Sequence, residues 1–185
     1  MDEEEGVQPA ANKPKTEATK QPAVKPAAKV EGAVKVVQLP SQANPGMAKA
    51  AQVFILGNKL INTGSTFELF VIAEEITDLF SAPMTVRYDD QLLEFVSASE
   101  GSLMKKEGKT VFTSSEVPGQ GEVIVGLKFA EDGRGVSGGG ALFKLDFKAK
   151  GPGVAEIKAE KINLRTSTGA QIPAADNIFT VEIVQ

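Results

Sequence analysis

From about Ala50 onward, apolar and polar residues alternate in short runs. Phe67, Leu69 and Val71 share one side of such a run, as do Met84, Val86 and Tyr88. Val123, Val125, Leu127 and Phe129 continue the pattern, followed by Phe143, Leu145 and Phe147 with Lys144, Asp146 and Lys148 opposite. Ala155, Ile157 and Ala159, then Phe179, Val181 and Ile183, complete it. A period of two turns one face of each segment to a core and the other to water, as in a half-buried β-strand. With VFIL (53–56), LLEFVSA (92–98) and TVFTSS (110–115), the chain offers nine short strands. Turn chemistry separates them: Asn62-Thr63-Gly64, Asp89-Asp90, Pro118-Gly119-Gln120-Gly121, Gly151-Pro152-Gly153 and Ser167-Thr168-Gly169. No segment carries a long helical repeat. The expected fold is all-β, a nine-strand sandwich of two sheets spanning residues 50–185.

Residues 1–45 read differently. They hold six of the ten prolines and no aromatic residue, and six acidic residues balance six lysines. So little apolar surface does not offset the entropy of ordering, so this stretch is expected to be a disordered Pro/Ala/Lys-rich linker. AVKVVQL (33–39) is the one piece with the composition of a short strand.

The residue inventory narrows the chemistry. The chain has no cysteine and no histidine. Thiol and imidazole catalysis, disulfides and the commonest transition-metal ligands are therefore excluded, and no enzyme activity is expected. A net charge of −4 and a pI near 5.1 give no reason to expect nucleic acid as a partner. No apolar run approaches the roughly 18 residues of a membrane helix. Met1 is followed directly by Asp2-Glu3-Glu4-Glu5, which lacks the basic start and apolar core of a signal peptide. The expectation is a cytoplasmic protein or a piece of a longer exported one.

The order of several segments resembles the cohesin domain family. They are GSTFELFVIAEEITDLFSAPMTVRYDDQLLEFVSASEGSL (64–103), GEVIVGLKF (121–129), GVSGGGALFKLDFKAKGPGVAEI (135–157) and GAQIPAADNIFTVEIV (169–184). No one of these motifs is specific; their order and spacing carry the likeness, over residues 51–185. The wording looks closest to cohesin-like domains at the C-terminal end of bacterial type II secretion secretins. The resemblance implies a flattened jelly roll that is non-catalytic and binds a protein on one sheet face. The implied partner is a dockerin-like module or a secretion-system component, in a cell-envelope or extracellular setting. A carbohydrate-binding domain and a structural spacer are the other readings.

The resemblance places the binding face on the strands at 82–88, 110–116, 122–129 and 154–160. Alternation then turns Thr85, Arg87, Glu122, Ile124, Lys128, Glu156 and Lys158 outward. This face is expected to be mostly charged, with Ile124 its one apolar group and Arg87 the natural anchor. A sugar site needs exposed aromatic rings. Tyr88 is expected to point inward, and Phe70, on a run apolar on both faces, is expected in the core.

MTVRYDDQLLEF (84–95) contains the most visible carboxylate pair. Neighbouring side chains on a strand diverge, so Asp89 is expected to bond the turn rather than to share a ligand with Asp90. In the resemblance Asp90 stands where proline is usual, which leaves the corner more dependent on Asp89. No D-x-D-x-D-G run occurs, so neither a metal nor another cofactor is expected. Gly138-Gly139-Gly140 has no Lys-Ser/Thr after it and precedes a strand, so it reads as a backbone device and not a phosphate cradle.

Overall fold

The computed structural model describes residues 50–131 and 133–185. The expected linker, AVKVVQL and Asp132 lie outside the described residues. In chain order the elements are β1 (Gln52–Gly57), β2 (Leu60–Asn62), β3 (Thr66–Ser81), β4 (Met84–Tyr88), β5 (Leu93–Glu100) and α1 (Ser102–Lys105). They continue with β6 (Thr110–Val117), β7 (Glu122–Phe129), β8 (Val136–Ala149), β9 (Gly153–Glu160), β10 (Leu164–Thr166), β11 (Gln171–Ile172) and β12 (Asn177–Val184). The nine expected strands correspond to β1, β3–β9 and β12. The other three are only two or three residues long, too short to display a period.

Two layers face each other. One has the order β5-β8-β3-β1, the other β6-β7-β4-β9-β12-β2, with every neighbour antiparallel except the β2–β12 pair. The 16-residue β3 joins them. Most of it pairs with β1 and β8, while its last residue, Ser81, pairs with Lys128 of β7. Between these two roles the strand bulges. Glu75 and Asp78 have φ of +58° and +57°, and the register against β8 shifts on both sides of Ile76. Gly138 stands opposite Ile76 at φ +117°, a conformation side chains resist, which confirms the backbone role read for the glycine run.

The residues that alternation turns inward are all buried. Phe143, Phe147, Leu145 and Leu69 from one layer meet Val86, Val123, Val125 and Ile157 from the other. Phe147 lies at the centre of an aromatic cluster, with ring centroids 5.1 Å from Tyr88, 5.8 Å from Phe95 and 6.1 Å from Phe67. Such tilted contacts add to the area-driven stabilisation of burial. The single turn α1 tucks Leu103 and Met104 under β8.

One expectation about the core fails. Phe70 is half-buried on the outer side of β3, paired across strands with Leu56 and Lys144. Its own face of the sandwich has no third layer above it among the described residues, so an apolar side chain there is not thereby a core one.

Candidate functional site

The outer face of the six-stranded layer takes its shape from register. One row runs Val117, Glu122, Arg87, Lys158, Ile178 across β6, β7, β4, β9 and β12. The next runs Ser115, Ile124, Thr85, Glu160. Directly opposed residues in antiparallel strands share a face, so the structure brings six of the seven expected residues into these two rows or beside them. The seventh, Lys128, lies farther along β7 opposite Val111 and Ser81.

Two of the seven are corrected by burial. Thr85 points outward as alternation requires, yet it is only 5% exposed. Its cross-strand partners, Ile124 and Glu160, are taller side chains on the same face and shade it. Glu122 is 9% exposed because cations close over it. Arg87 Nη2 lies 3.3 Å from Glu122 Oε2, and Lys161 Nζ lies 3.8 Å from Glu122 Oε1. Arg87, Ile124, Lys128 and Glu156 are exposed and Lys158 half-exposed, as expected of a contact surface.

Arg87 is not a free anchor. Its Nε lies 3.5 Å from Glu160 Oε1, and Lys158 bridges Glu160 and Asp176 at 3.1 Å each. Lys161, Glu122, Arg87, Glu160, Lys158 and Asp176 thus form one chain of alternating charge. Glu160, then Asp176, holds the Lys158 ammonium above its ordinary pKa. Pairs this open to solvent contribute little stability each. Their effect is to hold the Arg87 guanidinium, half of whose side chain is exposed, in one orientation. Sequence reasoning missed Glu160, Asp176 and Lys161. Glu160 was within its reach, two residues from Lys158 on the same face of β9.

The face is also more apolar than expected. Ile124 is joined by Val111, Val154 and Ile178, which are 42%, 63% and 56% exposed. Val111 and Ile178 come from β6 and β12, whose outward positions had not been counted. A shallow notch of about 260 Å³ between Pro83, Val111, Gly126 and Lys128 adds apolar relief. At the other end, a depression of about 590 Å³ is lined by Arg87, Gln120, Val154, Glu156 and Lys158.

The Tyr88-Asp89-Asp90 corner supports this depression and is architectural. Tyr88 donates from its hydroxyl to Glu116 Oε1 at 2.6 Å, and burial followed by this carboxylate pushes the phenol well above its ordinary pKa. Asp89 Oδ1 accepts the Gln91 N–H at 2.9 Å, and its carbonyl accepts the Leu93 N–H at 2.8 Å. Lys150 Nζ donates to the Asp90 carbonyl at 2.6 Å. Gly121 closes the corner at φ +57°, where a Cβ would lie 2.2 Å from the Tyr88 carbonyl oxygen. Among the described residues, no group of three or more acidic side chains is placed to hold a metal ion. None of their helices is long and apolar enough to cross a membrane.

Together these observations define an antiparallel sandwich that presents a polar and apolar sheet face. The cohesin domain profile matches residues 51–179, and the chain belongs to the cohesin family. Cohesins are non-catalytic protein-interaction modules whose partners are dockerins. Among solved structures, the chain is similar to a non-cellulosomal cohesin from the archaeon Archaeoglobus fulgidus. There the identity is 21% and the TM-score 0.61, over 74% of this chain and 93% of that one. It is likewise similar to a cohesin module of a family 33 glycoside hydrolase from Clostridium perfringens, at 16% identity and TM-score 0.63, over 73% and 97% of the two chains. A type I cohesin–dockerin complex from Clostridium thermocellum matches at 18% identity and TM-score 0.61, over 74% and 100%. A search of curated protein sequences found no match.

Proposed function

We propose that this domain is a docking module, receiving a protein partner on the outer face of its six-stranded layer within a bacterial cell-surface or secretion assembly. The observation that carries the reading is the company Arg87 keeps: an oriented guanidinium among exposed Ile124, Val154 and Ile178. Interfaces concentrate their energy in such buried-on-binding apolar and arginine anchors. Family membership supports a dockerin-like module as the class of partner, and a secretion component is the second candidate. Residues 1–45, by composition, are the tether that presents the domain.

The test uses the full chain as bait against the envelope fraction of its source organism, with Arg87→Ala/Ile124→Asp as the matched control. The captured protein is identified, purified and titrated against both forms. The expected result is saturable one-to-one binding that the double variant weakens by about 30-fold or more, as loss of a central anchor should. Equal affinity for both forms refutes the face. Absence of any saturable partner leaves the spacer reading standing instead.

A further inference from the structure

A second concave site lies away from the Arg87 cluster, where the β1–β2 connection passes the start of β3. The cleft holds about 500 Å³, within the range of small-ligand sites. Its floor is Ile61 and Phe67, both buried and facing the core. Leu60, 62% exposed, and half-buried Phe70 complete its apolar lining.

The polar part of the lining is exposed and uncommitted. Asn58, Asn62, Ser65 and Thr66 are exposed at the cleft, and their side chains make no hydrogen bond among the described residues. The backbone of the turn at 62–65 is nevertheless held in place. The Thr63 N–H donates to the Val184 carbonyl at 2.7 Å, the Gly64 N–H to the Ala149 carbonyl at 2.9 Å, and the Ser65 N–H to the Asn62 carbonyl at 3.1 Å. A rigid rim carrying free amides and hydroxyls is preorganised for a ligand. Amides and hydroxyls both donate and accept, which matches a ligand that does both at every position. Charge narrows the class further. No lysine or arginine lines the cleft, and Glu68, its one carboxylate, is engaged by Lys144 Nζ at 2.6 Å. The Lys144 ammonium beside it is already held by Glu68 and by Asp146 at 3.1 Å, so the cleft offers a charged ligand neither an unpaired cation nor an unpaired carboxylate.

We infer that this cleft binds a neutral saccharide of one or two pyranose rings, its C–H face against Phe70 and Leu60 and its hydroxyls on Asn58, Asn62 and Thr66. Sugar rings have this division, an apolar face and a rim of mixed donors and acceptors, and an aromatic ring next to amides reads both. The cleft shares no lining residue with the depression beside Arg87.

The experiment titrates the full chain with cellobiose, xylobiose, N,N′-diacetylchitobiose and maltose, followed by saturation-transfer and amide NMR. The expected result is binding of at least one of them with a Kd in the millimolar range, with amide shifts confined to residues 57–70. Asn58→Ala/Asn62→Ala should weaken it about tenfold, the loss of one or two hydrogen bonds. Phe70→Leu, which keeps an apolar residue in place, should also weaken it while leaving the circular dichroism spectrum unchanged. Arg87→Ala/Ile124→Asp should leave it unaltered, which separates this site from the docking face. The inference is overturned if none of the four sugars binds at about 10 mM, or if binding survives both cleft variants.

Discussion

Asp78 offers the most direct trial of how the β3 bulge is held in place. It sits in the β3 bulge at φ +57°, and its carboxylate reaches two distant segments. Oδ2 accepts the Ser167 hydroxyl at 2.7 Å and the Ser167 N–H at 3.3 Å, and Oδ1 accepts the Gly135 N–H at 2.8 Å. Two substitutions separate the contributions. Asp78→Gly removes the carboxylate and relieves the positive φ that the aspartate Cβ resists; Asp78→Ala removes the carboxylate and keeps that Cβ. The side chain is half-exposed, so water replaces part of what is lost, and the two short bonds together contribute about 2 kcal/mol. The left-handed backbone costs wild type and alanine alike about 1 kcal/mol that glycine does not bear. Urea unfolding at pH 7 should therefore place Asp78→Gly about 1 kcal/mol below wild type and Asp78→Ala lowest, about 2 kcal/mol below it. Acid supplies a second axis. The Ser167 hydroxyl, then the Gly135 amide, hold the carboxyl below its ordinary value of 3.8. A depressed pKa stabilises the fold fully above the unfolded-state value and ceases to do so as pH falls through the folded-state one. The gap between wild type and either variant should thus narrow below about pH 4. An alanine variant as stable as the glycine one refutes the backbone argument. A gap that does not change with pH refutes the role of the ionised carboxylate.

Two further outcomes follow from the core. Phe147→Ala empties the ring cluster around a fully buried side chain and should destabilise by about 3–5 kcal/mol, read as a fall in the urea midpoint; a loss under about 1 kcal/mol is incompatible with that packing. Tyr88 is the only tyrosine and no tryptophan is present, so the phenolate absorbance reports one residue. Its ionisation should begin only well above the ordinary value of 10.0, and a midpoint at that value would show that the Glu116 contact does not exist in solution.

Much of the fold was legible because alternation is a local signal. Phe143, Leu145 and Phe147 declare their face within five residues, and β8 needs no partner to be recognised. Arg87, Ile124 and Lys128 could be placed outward on the same ground. Alternation names a side, however, and does not say what stands beside a residue. Thr85 and Glu122 were misjudged for that reason, since their cover comes from Ile124, Glu160, Arg87 and Lys161 on other strands or beyond a strand end. Phe70 failed in the opposite sense: two apolar faces on β3 suggested a fully buried strand, and only the layer order shows one of them to be outside. The Asp78 junction was beyond the reach of any local pattern. It joins residues 57 and 89 positions apart and depends on a positive φ that aspartate rarely adopts.

The position of β12 bears on when the domain can fold. This strand is the last of the described strands to be synthesised, yet it lies between β9 and β2, and Glu182 pairs with both Val154 and Leu60. Segments made earlier are left with an open edge and an unfilled place in the core until residues 177–184 are available. Nor does the rest assemble early, because Thr66 waits for Lys148 and Phe67 for Phe147. Closing such large loops precedes the reward of pairing, which makes folding slow. During synthesis the nascent chain exposes β-strand edges, and its burden of chaperone protection falls on that interval.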